Sequence, residues 1–164
     1  MLSKTIEKAL NEQIQEELYS AHIYLSMAAY CDNLNLPGFA HWFRTQSEEE
    51  RAHGMKLYSA IVDRGGRVVL GDIKKPPTEF KSVLAVMEQS LAHEQKVSAS
   101  IHKIYTLAQK EDDYATQVML QWFISEQVEE EASVSQIVER LKLVGEKSAS
   151  LLYFDKELGK RGKE

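Results

Sequence analysis

Cysteine is almost missing from this 164-residue sequence: Cys31 stands alone, so no intrachain disulfide can form, and the chain fits a reducing compartment. Helix breakers are scarce as well. Eight glycines and three prolines are too few for a collagen-like, loop-rich or disordered chain. No apolar run approaches the roughly 20 residues that a membrane-spanning helix needs. The opening MLSKTIEKAL is charged and amphipathic, unlike a secretory signal. An excess of basic residues is also lacking: 20 Lys and Arg against 25 Asp and Glu leave a net charge of −5, which gives no electrostatic reason to expect nucleic acid. These absences lead to an expectation of a cytoplasmic chain with neither nucleic acid nor membrane as partner. What the sequence does have is 43% hydrophobic and 27% charged residues, the balance of one helix-rich globular domain covering residues 1–164.

The few breakers fall at NLNLPG (33–38), GG (65–66) with KKPPT (74–78), EDD (111–113) and Gly145. Between them the spacing predicts helices at about 4–32, 38–64, 79–110 and 113–143, with a shorter one at about 147–159. Long helices with short joints form an antiparallel bundle, here at about 4–143. The joint at 66–79 is the exception. Its 14 residues reach about 48 Å when extended, more than the about 40 Å of a 27-residue helix. The alternatives are a hairpin around Val68, Val69 and Leu70, or a crossover that spans the bundle and makes helices two and three parallel. The crossover is favoured, giving an all-α four-helix bundle with one long connection and a short fifth helix.

Apolar residues recur in alternating three- and four-residue steps along each helix, the pattern of a buried stripe. The seams run from Leu10 to Cys31, Phe39 to Ala60, Phe80 to Ala108 and Leu120 to Val144. Six polar residues interrupt them: Glu17, Glu50, His53, Glu94, Gln127 and Glu130. Each lies close to the midpoint of its helix, so aligned helices bring all six to one depth. Glu17, Glu50 and His53 also map onto Glu94, Gln127 and Glu130 by a constant offset of 77 residues.

Four ionised, unpaired carboxylates in a dry core cost several kcal/mol each. No Lys or Arg occupies the inner half of a seam, and protonating all four at neutral pH needs large upward shifts at every position. A bound metal is the remaining source of neutralisation. Carboxylates on facing helices, with a Glu-x-x-His pair whose i, i+3 spacing puts both ligands on one helix face, suit a di-iron centre. Oxygen-rich ligation with one imidazole favours iron or manganese over copper, and the lack of clustered cysteines argues against structural zinc and iron–sulfur clusters. A metal-free bundle, in which the seam polars only set helix register, is the competing reading.

The stretches NEQIQEELYSAHIYLSMAAYCD, SEEERAHGMKLY, RGGRV, the HE pair at 93–94 and LQWFISEQVEEEA resemble the ferritin family, in particular the haem-free ferritins of bacteria and archaea. By that resemblance Glu17, Glu50 and His53 hold one iron; Glu50, Glu94 and Glu130 hold a second, with Glu50 bridging. Gln127 becomes a weak ligand or hydrogen-bonding neighbour. Glu49, Glu126 and Glu129, sharing Glu130, become a third iron site. Tyr24 becomes an electron donor that also orients a ligand carboxylate, whereas Trp122 reads as packing and Glu48 and Glu131 as surface residues. Arg51 stands where a haem-binding methionine would follow the ligand Glu50, so no haem is expected. The resemblance implies a ferroxidase that oxidises Fe²⁺ with O₂ or H₂O₂ and deposits ferric mineral in a hollow homo-oligomer of about 24 subunits. A di-iron peroxidase or rubrerythrin-like enzyme that retains its metals is the alternative; the fourth helix's Gln-x-x-Glu, in place of a second Glu-x-x-His, weighs against it.

Overall fold

The computed structural model describes residues 2–145 and 149–162. Among them are five helices and no strand: α1 (Lys4–Asn33), α2 (Pro37–Asp63), α3 (Val83–Lys110), α4 (Tyr114–Val144) and α5 (Ala149–Leu158). The boundaries are set by local chemistry. Ser3, Ser82 and Asp113 each accept from a backbone N–H three residues on, and Pro37 starts α2, where its missing N–H costs nothing. The turns at NLNLPG and EDD place Asn35 and Asp112 at φ 57° and 52°, a region that short polar side chains tolerate. One expectation needs correcting. The third helix starts at Val83 and not near 79, because Ser82 caps it; Phe80, expected on the helical seam, lies ahead of the cap and packs edge-on against Tyr30 at 5.1 Å. The expected start of the last helix, at 147, lies outside the described residues.

The segment between α2 and α3 is the crossover, and its hydrogen bonds trace its path along α1. Glu7 accepts from the Arg67 N–H, Asn11 bonds Arg67 O and Val69 N, Gln15 donates to Asp72 O, and Ser26 donates to Pro77 O. Contacts that advance from position 7 to position 26 of α1 carry the chain from one end of the bundle to the other. α2 and α3 therefore run parallel, with α1 and α4 antiparallel to both.

The interior divides into two apolar clusters. One holds Tyr24, Met27, Phe39, Phe43, Met87, Val134, Leu141 and Phe154; the other holds Ile6, Leu10, Ile14, Leu57, Ile61, Ile101, Leu120 and Phe123. At about 1.5–3 kcal/mol per fully buried side chain, these clusters hold the helices in alignment and so fix whatever lies between them. Cys31 belongs to the first cluster, and burial pushes its thiol up to about 12, leaving it protonated and unreactive.

α5 docks against the start of α2. Asp155 accepts from the Phe39 N–H at 2.9 Å, and a Cβ on Gly38 would fall 1.6 Å from the Asp155 carbonyl oxygen. Gly38→Ala is therefore expected to force α5 outward and cost about 1–3 kcal/mol, read as a lower melting temperature by circular dichroism.

Candidate metal centre

Between the two apolar clusters lies a layer of polar side chains supplied by four helices. Glu17 comes from α1, Gln46, Glu50 and His53 from α2, Glu94 from α3, and Gln127 and Glu130 from α4; none is more than 5% exposed. The 77-residue offset thus corresponds to two antiparallel helix pairs meeting face to face, each bringing its polar positions to the same depth.

Glu17, Glu50 and His53 converge so that one ligand atom from each lies within 4.8 Å of the others. Their hydrogen bonding is incomplete. Gln13 donates to Glu17 Oε1 at 2.9 Å, but Glu17 Oε2 is the only buried side-chain polar atom without a partner among the described residues. His53 Nδ1 lies 3.2 Å from Glu50 Oε2, and the imidazole packs edge-on against Trp122 and Phe123 at 5.4 and 6.0 Å. A second group with the same spacing joins His53 to Glu126 and Glu130.

Glu94 lies in the same layer but faces other partners. The Tyr24 hydroxyl donates to its Oε1, and Gln127 Nε2 donates to its Oε2 at 3.0 Å. Gln127 also donates to Glu94 O and Ser98 Oγ, so its amide positions Glu94. Of the set expected around a third iron, Glu126 joins His53 and Glu130. Glu49 is instead ion-paired with Arg161 at 2.5 Å, and Glu129 is exposed and outside both groups. Glu48 is exposed as expected. Glu131 is only partly so, since Ser98 donates to it at 2.5 Å. Trp122 is 38% exposed, with Lys56 Nζ 4.1 Å from its ring centre, so it packs at the surface and not in the core.

Four further residues belong to this layer or its edge and were not read from the sequence as site residues. Gln46 donates to Glu130 Oε2 at 2.6 Å and to Glu50 Oε1 at 3.3 Å. Gln13 holds Glu17. His93 contacts Ser20 Oγ through Nε2 at 2.7 Å; because that hydroxyl donates to Glu16 O, the imidazole is the donor. Burial lowers His93 to about 4, so it packs as a neutral ring edge-on to Tyr24 at 5.8 Å. Arg161 brings a cation to the edge of the layer from beyond α5.

Electrostatically the layer is starved of positive charge. Burial, followed by the charge of Glu50, pushes Glu17 well above the usual carboxylate range. Burial and the charge of Glu94 do the same to Glu50. Burial raises Glu94 and, with the charge of Glu94, takes Glu130 to about 7. Burial with the charges of Glu94 and Glu50 keeps the Tyr24 phenol protonated. A cation held at the Glu17–Glu50–His53 position would offset the buried charge of Glu17 and Glu50 directly, and a hard, oxygen-rich ligand set of this kind suits iron.

Residues 7–144 match the Ferritin-like domain family. The chain is 43% identical over 161 residues to a bacterial non-heme ferritin of Staphylococcus haemolyticus, covering 98% of this chain and 97% of that protein. Identity is 44% to a bacterial non-heme ferritin of Staphylococcus saprophyticus, with coverage of 98% and 96%. Among solved structures, an open pore ferritin from the hyperthermophilic archaeon Archaeoglobus fulgidus superposes with a TM-score of 0.96 at 48% identity, covering 98% of each chain.

Proposed function

The chain belongs to the ferritin family, and we propose from that premise that it stores iron, oxidising Fe²⁺ to Fe³⁺ at the buried Glu–His layer and passing the product into the cavity of a homo-oligomeric cage. The observation that carries this reading is Glu17 Oε2, left without a hydrogen-bond donor beside Glu50 and His53, an open acceptor in a dry core that a bound cation would complete. Membership in the family supports iron as that cation.

In this reading Glu17, His53 and Glu50 hold one Fe²⁺, and Glu50, Glu94 and Glu130 hold a second. Carboxylates suit both oxidation states because they shift between bridging and terminal binding. Each Fe²⁺ gives up one electron to O₂ or H₂O₂. Tyr24 and Gln127 hold Glu94 from two sides, and in this reading the phenol serves as a near electron donor. Gln127 is neutral, and its amide hydrogens are spent on Glu94 and Ser98; the α4 side therefore binds the second iron more loosely than the α2 side binds the first. That asymmetry lets product leave.

A single bundle encloses no store. Exposed apolar side chains along the crossover, Val69, Leu70 and Ile73, and on α5, Leu152 and Tyr153, support burial between copies, and a closed shell of about 24 subunits is the proposed assembly. Aerobic Fe²⁺ loading followed by sedimentation and an iron count tests the storage reading. The expected outcome is a large particle holding far more iron per subunit than the inner ligands can bind. Monomers or dimers that keep only the iron of a fixed di-iron enzyme would overturn it.

A further inference from the structure

The C-terminal segment delivers positive charge to one flank of the centre. Beyond α5, His41 Nε2 donates to the Arg161 carbonyl oxygen at 2.8 Å, and the Arg161 guanidinium lies 4.7 Å from the centre of the Trp42 ring. From there it donates to Glu49 Oε2 at 2.5 Å, to Gln46 Oε1 at 2.9 Å and to Trp42 O at 3.4 Å. Gln46 can turn only one way under that contact. With its oxygen facing the guanidinium, its amide hydrogens face Glu130 and Glu50; the flipped amide would set oxygen against carboxylate and N–H against cation.

Arg161 therefore acts on the Glu130 side in two ways. It orients the amide that holds Glu130, and it neutralises Glu49, the carboxylate whose charge also falls on Glu130. The pair is only partly shielded, with 24% of the Arg161 side chain and 41% of the Glu49 side chain exposed. Such a pair is weak and reversible, so a divalent ion at Glu49 has little to overcome.

We infer that Arg161 is a tethered counter-ion, a positioning residue that occupies Glu49 until a further metal, held by Glu126 and a shared Glu130 oxygen once His53 is taken by the inner metal, displaces it. The inference rests on the metal-centre reading above and adds to it a sequence of events. Two metals fill the inner layer without disturbing Arg161; a further, weaker metal takes Glu49 from it. Because the guanidinium lies against Trp42, its release changes the surroundings of that indole.

Zn²⁺, which has no redox chemistry, is the probe. It is titrated into the full-length, metal-free protein carrying Trp122→Phe, so that Trp42 is the one remaining tryptophan, with calorimetry and Trp42 emission followed together. The emission is expected to change with the last and weakest equivalent only. Arg161→Gln removes the charge and is expected to tighten that equivalent about three- to fivefold while abolishing the emission change; Arg161→Lys is expected to bind as the parent does. In Glu49→Gln the weakest equivalent loosens, and adding Arg161→Gln to it brings no tightening. The inference is overturned if Arg161→Gln leaves the weakest equivalent unchanged or loosens it, if tightening persists without Glu49, or if no weak equivalent is seen in either protein. Those results leave the tight inner equivalents in place, whereas failure of the metal-centre reading removes them from the parent itself. Melting curves on each variant separate a loss of fold from a loss of binding.

Discussion

Glu50→Gln is expected to slow rapid aerobic oxidation of Fe²⁺ by at least about 100-fold, since even partners one step removed from a metal ligand cost about 10–100-fold when lost. Glu50 is fully buried and belongs to the Glu17–Glu50–His53 group. The charges of Glu94 and Glu130 also act on it, in keeping with a carboxylate shared by the two proposed iron positions. The amide keeps the volume but not the charge, and it cannot bridge two cations. The same substitution is expected to stabilise the metal-free protein near pH 7.5, by about 1–3 kcal/mol, because a carboxylate without a counter-ion is being replaced by a neutral group of the same shape. Stopped-flow absorbance reads the first effect and thermal melting the second. Glu139→Gln, on the exposed face of α4 beside Lys142, is the control and is expected to change neither. Loss of stability together with loss of activity would point to a structural carboxylate and not to a ligand.

The metal-free protein is also expected to lose stability as pH rises from about 5 to 8, the reverse of the usual acid denaturation of a chain held by salt bridges. The sign follows from the direction of the shifts. A carboxyl group whose pKa is higher in the folded state than in the unfolded state binds its proton more tightly when folded. Its contribution is complete below the unfolded value and is lost as pH climbs through the folded one. Glu130, moved from 4.5 to about 7, loses roughly 3 kcal/mol across that window on its own. Glu17, Glu50 and Glu94 are shifted in the same direction and add to the slope. A metal reverses it, because binding expels those protons and so gains strength with pH. Chemical denaturation at several pH values, with and without Zn²⁺, measures both slopes. A metal-free protein whose stability is flat or rises over this range would show that the four carboxylates are solvated or paired in some other way.

The residues of the inner layer were legible in the sequence because helical periodicity and burial carry the same information: a charge at a seam position stands out against apolar neighbours. The length of the 66–79 joint located the crossover, since 14 residues reach farther than the helix they have to pass, whereas its anchoring on Asn11 and Gln15 of α1 came only with the structure. Three things were hidden. Gln46 lies on the second seam but is neutral, so it does not signal a missing cation as a carboxylate does. Gln13 and His93 sit one position away from their seams, and only the actual rotation of the helices turns them inward. Arg161 is separated from Glu49 by 112 residues and follows a short helix, so no spacing rule connects them. The start of α3 was misplaced for a similar reason, as the apolar character of Phe80 continues the seam although the Ser82 cap ends the helix.

The most direct measurement is anomalous diffraction from crystals soaked anaerobically in Fe²⁺. Iron is expected inside the bundle, one peak among Glu17, Glu50 and His53 and a second among Glu50, Glu94 and Glu130, with Glu17 Oε2 among the coordinating atoms. Iron found only on surface carboxylates such as Glu129, with the inner layer free of anomalous signal, would contradict an iron-oxidation centre in this bundle.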